Sequence, residues 1–117
     1  MGRVNDKPID RIIQESVPGK QVTIAHVIAS PMEDIYERLG VEGHGALGIL
    51  TLSPCETAII AADIATKTAD VEIDFLDRFT GSVVISGDVQ SVETALRAVT
   101  ETLQSLLKFD TVPITKT

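Results

Sequence analysis

The sequence predicts a single α/β domain in which helices cover an antiparallel or mixed sheet, an α+β sandwich. Three observations predict this fold class. Strand patterns alternate with helix patterns along the chain, and 117 residues correspond to one domain. The last helix pattern is also the longest, and it is amphipathic, so one face must be buried against other elements.

The first half of the chain begins with two strand patterns. Residues 9–17 divide into two sides of a predicted strand, and Pro18-Gly19 predicts a turn after it. One side consists of Ile9, Arg11, Ile13, Glu15 and Val17, and the other of Asp10, Ile12, Gln14 and Ser16. Residues 21–29 are apolar and nearly continuous after Thr23, which predicts a second strand.

Two similar serine-proline segments then predict helix starts. Ser30-Pro31-Met32-Glu33 and Ser53-Pro54-Cys55-Glu56 each offer a serine cap, a proline and a glutamate that completes a capping box. The helices are expected to end near Leu39 and Thr68, and residues 46–52 between them predict a strand.

The second half predicts a hairpin and a long helix. Val71, Ile73 and Phe75 alternate with Glu72 and Asp74, which indicates a half-buried strand. Residues 78–82 predict a turn, residues 83–86 a strand, and Gly87-Asp88 a helix start. Residues 109–117 form a tail with one short strand, interrupted by Pro113.

The long helix has a predicted core face and a predicted charged face. The expected core face consists of Val92, Leu96, Val99, Leu103 and Leu106, and the expected ion pairs on the other face join Glu93, Arg97 and Glu101.

Composition excludes several classes of function. The net charge of −7, without a Lys/Arg cluster, argues against nucleic-acid binding. A single cysteine cannot form an internal disulfide and fits a reducing compartment. Residues 1–10 contain no apolar run typical of a signal peptide, and no segment approaches the ~20 apolar residues of a membrane span.

The residues that could carry chemistry do not form a site. The segment Gly43–Gly48 matches G-x-G-x-x-G, but a helix precedes it and a strand follows it, the reverse of a dinucleotide site. Cys55 has only His26 and His44 as imidazole partners, and their spacing predicts neither a catalytic pair nor a metal site. Glu72, Asp74 and Asp77 are a candidate carboxylate cluster, but Glu72 and Asp74 share one strand face without a basic or histidine partner nearby, which is typical of a solvated or interface side. We therefore expect no catalytic residue, cofactor or metal.

Several segments resemble the bacterial microcompartment shell domain: Ala46-Leu47-Gly48-Ile49, Ala61-Ala62-Asp63, Lys67, Val71-Glu72, Gly81 and Gly87-Asp88-Val89. In the usual shell domain the Ala-Leu-Gly strand is N-terminal, whereas here residues 1–45 precede it. That preceding part contains His26-Val27-Ile28, which is similar to the family's usual C-terminal strand. The chain therefore resembles circularly permuted shell proteins of the EutS/PduU type, and residues 75–81 are the most specific run.

The resemblance implies a structural protein of the bacterial cytoplasm, not an enzyme. It implies homohexamers that tile with other shell proteins around encapsulated enzymes and retain a reactive intermediate. The expected partners are copies of the chain, other shell proteins and those enzymes, with no nucleic acid and no membrane. Residues 1–17 would form an N-terminal extension, and residues 18–117 the permuted shell domain.

The resemblance also implies three places in the hexamer. Asp63 and Lys67 would lie at its edge, although Ala29-Ser30-Pro31 stands where the family usually has Pro-Arg-Pro. The turn at the axial pore would consist of Arg78, Phe79, Thr80 and Gly81. A six-stranded axial barrel would be built from Arg11, Ile12, Ile13, Gln14, Glu15 and Ser16 of each subunit.

The residues themselves leave alternatives open. Asp63 and Lys67 also fit an ordinary surface ion pair, and residues 78–81 an ordinary hairpin turn. The alternative function is a trimeric regulator with a ferredoxin-like fold that binds a small ligand, and an enzyme using Cys55 is a third. Gel filtration with cross-linking separates hexamers from trimers and monomers.

Overall fold

The computed structural model of the chain describes residues 19–40 and 45–117. These residues form five strands and three helices: β1 (Gln21–Ile28), α1 (Glu33–Leu39), β2 (Ala46–Ser53), α2 (Thr57–Thr68), β3 (Glu72–Asp77), β4 (Ser82–Gly87), α3 (Val89–Leu107) and β5 (Thr115–Lys116). The strands form one sheet in the order β3-β4-β2-β1-β5. The first four are antiparallel neighbours and β5 is parallel to β1, so the predicted mixed sheet is confirmed.

The core lies between the sheet and the helices α2 and α3. Helix α3 contributes five fully buried apolar side chains, Val92, Ala95, Leu96, Val99 and Leu103, and α2 contributes its alanines. Helix α3 lies directly on β2 because Gly48 has no side chain. A Cβ at Gly48 would lie 2.8 Å from Cγ1 of Val92, closer than the core allows.

The core face of α3 ends one turn earlier than the pattern predicted. Leu106 is 72% exposed, so its predicted burial was wrong. The chain leaves the helix at Lys108, which has φ 62°, and Phe109 turns back into the core. The Phe109 amide donates to the carbonyl of Leu103 at 3.1 Å, so Phe109 closes the end of the core.

The charged face of α3 is also paired differently from the prediction. The carboxylate of Glu93 accepts from Lys116 Nζ at 2.8 Å, whereas no ion pair joins Glu93, Arg97 and Glu101 to one another within the described chain. The pairing changes because the tail lies beside α3, which local spacing within a helix does not reveal.

The two predicted serine caps were wrong. Helix α1 begins at Glu33 after Met32, and α2 begins at Thr57 after Glu56, without a side-chain cap in either case. Ser53 remains in β2, opposite Gln21, and the first amides of α2 donate to the carbonyls of Pro54 and Cys55. Ser53 is therefore part of the pairing between β2 and β1, and the carbonyls of the turn, not a serine side chain, accept from the first amides of α2.

Other predicted helix boundaries were right. Gly40 ends α1 with φ 72°, the left-handed conformation that favours glycine. Asp88 caps α3, because its carboxylate accepts from both the amide and the hydroxyl of Ser91 at 2.9 Å. The hydrogen bond from the Ser91 amide is the main cause that lowers the pKa of Asp88 below its usual value, and the bond from the Ser91 hydroxyl lowers it further.

Strand β3 lies at the edge of the sheet, and it is less buried than predicted. Ile73, Phe75 and Leu76 are all exposed, because the strand does not alternate regularly. The register with β4 shifts between Ile73 and Phe75, which breaks the two-residue period.

The tail forms the other edge of the sheet. The amide of Thr117 donates to the carbonyl of Val27, and the amide of Ala29 donates to the carbonyl of Thr117, each at 2.9 Å. The predicted strand over residues 9–17, including Arg11, Ile12, Ile13, Gln14, Glu15 and Ser16, lies outside the described residues.

Candidate functional site

The turn between β3 and β4 is fixed by backbone hydrogen bonds. The carboxylate of Asp77 accepts from the amide of Phe79 at 2.8 Å, and the Gly81 amide donates to the carbonyl of Asp77 at 2.8 Å. The carbonyl of Gly81 accepts from the amide of Leu52 at 2.8 Å, which ties the turn to β2. Gly81 adopts φ 78°, and a Cβ there would lie 2.2 Å from the Leu52 oxygen. Only glycine fits this position without moving the backbone.

The same turn presents an apolar ring beside a cation. Phe79 is 77% exposed, and the guanidinium of Arg78 lies 5.0 Å from its ring centroid. The amide of Phe79 is the main cause that lowers the pKa of Asp77 below its usual value. Ile59 and Leu76 line a shallow depression beside this ring. The turn is therefore tied to β2 by hydrogen bonds and carries an exposed apolar tip.

The predicted edge residues form a separate exposed pair. Lys67 Nζ lies 2.9 Å from Oδ2 of Asp63 on α2, and the two side chains are 72% and 57% exposed. Within the described ranges, no hydrogen bond or ion pair joins Asp63 or Lys67 to residues 78–81. An exposed pair of this kind contributes at most ~1 kcal/mol to folding, so both side chains remain available for contacts outside the subunit.

Sequence reasoning missed the role of His26. Its ring nitrogens lie 2.6 Å from the hydroxyl of Thr115 and 2.9 Å from that of Thr117. The two hydroxyls hold both sides of the ring, so His26 fastens the tail to β1. The available signal was the spacing of Thr115 and Thr117, which places their side chains on one face of a strand.

The remaining chemical candidates are not assembled into a reactive site in the described part of the chain. Cys55 is a free, half-buried thiol, and His26 is engaged by threonines. Gly43 and His44 lie outside the described residues. Across residues 19–40 and 45–117, no three acidic, histidine or cysteine residues are placed to hold a metal ion. None of the helices in these ranges is both long and apolar enough to span a bilayer.

Comparison with known proteins identifies the family. The family profile of the BMC domain matches residues 46–115. The chain belongs to the bacterial microcompartment (BMC) shell-protein family. It is 64% identical over 108 residues to the bacterial microcompartment shell protein CutR of Streptococcus intermedius, covering 92% of this chain and 93% of CutR. It is 58% identical over 109 residues to the shell protein PduU of Salmonella typhimurium, covering 92% and 94%.

A solved BMC structure confirms the fold. The structure described as a CutR flat hexamer, form 1, has a TM-score of 0.83 and 62% identity, and the match covers 92% of this chain and all of that chain. In this BMC domain β1 precedes the matched segment, yet it lies inside the sheet, between β2 and β5. The element order is therefore permuted, as the sequence predicted. The ligand-binding regulator finds no support among these relatives.

Proposed function

We propose that this chain is a structural subunit of a hexameric shell that encloses metabolic enzymes in the bacterial cytoplasm and retains a reactive intermediate. One observation supports this most strongly: the flat hexamer of CutR matches the chain over 92% of its length at 62% identity. The partners are other copies of the chain, other shell proteins and the enclosed enzymes. This role is structural and requires no catalytic residue, cofactor or metal.

The distribution of aromatic side chains supports assembly. The chain has three phenylalanines, and two of them, Phe75 and Phe79, are 47% and 77% exposed in the single subunit. Exposed aromatic side chains of this size are typical of surfaces that are covered in a complex.

Native mass spectrometry tests the hexamer directly. We expect a species of six 12.5 kDa subunits as the main form. A main species of three subunits would favour the trimeric regulator instead, and a monomer at every concentration would contradict the proposed function.

Lys67 and Asp63 are proposed to lie at the edge where hexamers meet. The support is their exposure on α2 and the small folding contribution of the pair. We expect Lys67→Ala to leave single hexamers intact and to impair their packing into sheets, which electron microscopy measures.

Arg38→Ala is the matched control for this variant. Arg38 forms an ion pair with Asp34 four residues earlier, at 2.8 Å and similarly exposed, on a different helix. Sheets that form equally well with Lys67→Ala and the parent chain, or loss of the hexamer itself, would place Lys67 elsewhere.

The remaining two proposals concern the hexamer axis. The rigid turn Arg78–Gly81 is proposed to lie near the axis, with Phe79 covered by neighbouring copies. Residues 1–17 are proposed as an extension whose strand, Arg11–Ser16, joins five others in a small barrel that covers the opening, ahead of the shell domain over residues 18–117. A hexamer structure with residues 78–81 on the outer rim would contradict the first of these proposals.

A further inference from the structure

The start of β1 and the turn between β3 and β4 lie at the same end of the sheet. Gln21 at the start of β1 pairs with Ser53 at the end of β2. On the other side of β2, the Leu52 amide donates to the carbonyl of Gly81 at 2.8 Å. The turn that carries the exposed ring of Phe79 is therefore separated from the start of β1 by one strand only.

Phe79 and two neighbours form an apolar surface at this end of the sheet. Ile59 on α2 and Leu76 on β3 line the depression beside the phenylalanine ring, and all three side chains are exposed in the single subunit. We call these three side chains the apolar seat. Clustered exposed apolar side chains of this size are typical of a surface that another segment covers.

The N-terminal segment of the same chain starts within reach of this seat. Residues 1–18 precede Gly19, which leads into β1. The turn lies two strand spacings from β1, about 10 Å. An extended chain advances about 3.4 Å per residue, so the six steps from Gly19 back to Ile13 span up to ~20 Å. Residues 41–44 do not compete for the seat, because they join α1 to the opposite end of β2.

The sequence of this segment provides apolar side chains for the contact. On the predicted strand over residues 9–17, Ile9, Ile13 and Val17 lie on one side. Ile12 lies on the other side, next to polar residues. The first side therefore matches the apolar seat, and Ile13 stands at the distance that the chain can span.

We propose that the side of the N-terminal segment formed by Ile9, Ile13 and Val17 docks on the apolar seat of its own subunit, through side chains and not through strand pairing. This inference rests on the N-terminal extension proposed above and adds the surface that holds it. Six such contacts hold six extensions over the turns at the hexamer axis, so Phe79 determines how firmly the axis is covered. The rest of the exposed ring remains available to neighbouring copies.

Trypsin cleavage after Arg11 measures this contact, because Arg11 lies within the docked segment. A protease cuts such a segment in its open state, so the cleavage rate follows how often the segment leaves the seat. We expect Phe79→Ala to raise this rate about tenfold, because less apolar surface is buried on docking. Cleavage after Arg97 in α3 reports opening of the whole subunit and should not change.

Leu106→Ala and Met32→Ala are the matched controls. Both side chains are nearly as exposed as Phe79, at 72% and 76%. Leu106 lies near the end of α3, at the same end of the sheet as the seat, and Met32 precedes α1 at the opposite end. We expect neither substitution to change the rate of cleavage after Arg11.

Substitutions in the segment identify the side that docks. Phe79→Ala should add little to the cleavage rate of an Ile13→Ala chain, because that chain has already lost the contact. It should keep its full effect in an Ile12→Ala chain, since the substituted side chain lies on the other side of the strand.

Rates are compared between samples of the same oligomeric state, followed by native mass spectrometry, because neighbouring copies also cover Phe79. Equal rates for Phe79→Ala and the parent chain would overturn the inference, as would an equal increase in Leu106→Ala or a full effect of Phe79→Ala in the Ile13→Ala chain. A parent chain cleaved after Arg11 as fast as a synthetic peptide of residues 1–18 would also overturn it.

The outcome for the proposed function is separate. A parent chain that forms hexamers but gives any of these rates leaves the structural shell role standing. A parent chain that never assembles contradicts that role, and the cleavage comparison still decides the inference, because the contact lies within one subunit.

Discussion

Single residues determine how the turn of the candidate site meets the sheet. Gly81 and Gly40 have nearly equal φ angles, 78° and 72°. Their surroundings differ, because a Cβ at Gly81 would meet the Leu52 carbonyl at 2.2 Å, whereas a Cβ at Gly40 would meet none of the described residues within 4 Å. Alanine substitutions at these two glycines therefore separate the free-energy cost of the left-handed backbone conformation from the cost of a side chain that clashes with a neighbouring carbonyl.

We expect Gly40→Ala to lower the free energy of unfolding by about 1 kcal/mol, the cost of a left-handed alanine. Gly81→Ala should cost about 2–4 kcal/mol, because it also displaces the backbone that accepts from the Leu52 amide. Urea unfolding of both variants at one protein concentration measures the difference. Equal losses would show that the turn can move away from β2 without cost.

At the scale of elements, features that depend on neighbouring residues were predicted correctly, and features that depend on residues far away in sequence were not. Asp88 and Gly40 were identified correctly because a cap depends on residues within one helical turn. Ser53 was misassigned because its place is decided by pairing with Gln21, far away in sequence. The register shift in β3 also depends on a partner strand.

The candidate site follows the same division. The turn over residues 78–81 was predictable from Gly81 and its neighbours, and the hexamer edge and axis came only from family resemblance. The spacing of Thr115 and Thr117 places both side chains on one face of a strand, but nothing local in the sequence links them to His26, which lies 89 positions from Thr115. The exposure of Phe79 depends on how the hairpin of β3 and β4 packs in the folded subunit, so the exposed position of this ring could not be predicted from the sequence alone.

The cap of α3 gives a pH-dependent prediction at this scale. The pKa of Asp88 is lowered in the folded state, chiefly by the Ser91 amide, from a reference value of 3.8. A depressed pKa adds stability above the unfolded value, and this stability is lost as the pH falls through the folded pKa. Asn at position 88 keeps an acceptor oxygen for the cap but does not titrate.

We expect Asp88→Ala to lower the free energy of unfolding by about 1 kcal/mol at neutral pH. The difference in stability between the parent chain and Asp88→Asn should be constant above about pH 5 and should shrink as the pH falls below the unfolded pKa. Thermal unfolding from pH 7 to pH 2.5 (about the lowest usable value) measures both effects. Asp77 is also affected by acid, but it is present in both chains, so the comparison isolates Asp88. A difference that grows with acidity would contradict the assignment of the cap.

At the scale of the whole molecule, the described residues form one hydrophobic core among themselves. The core cluster is formed by side chains from β1, β2 and β4, from α2 and α3, and from Phe109, all within residues 19–40 and 45–117. The shell domain is therefore expected to fold and assemble when residues 1–17 are removed.

The extension is proposed to act on the axis of the hexamer and not on the fold. Residues 9–17 are predicted to form a strand, and an isolated strand is not stable in water, because its backbone groups need partners. Six copies around one axis would give every strand two neighbours, with one alternating set of side chains filling the interior.

Deleting residues 1–17 should therefore preserve a six-subunit species in native mass spectrometry and open the axis in a cryo-electron microscopy map. Ile9→Asn in the full chain is a milder change, because it alters one side chain and keeps the backbone. If backbone hydrogen bonds between the strands close the axis, the axis should stay covered in this variant. A closed axis after deletion, or a parent hexamer in which this segment pairs with its own subunit's sheet, would refute the barrel.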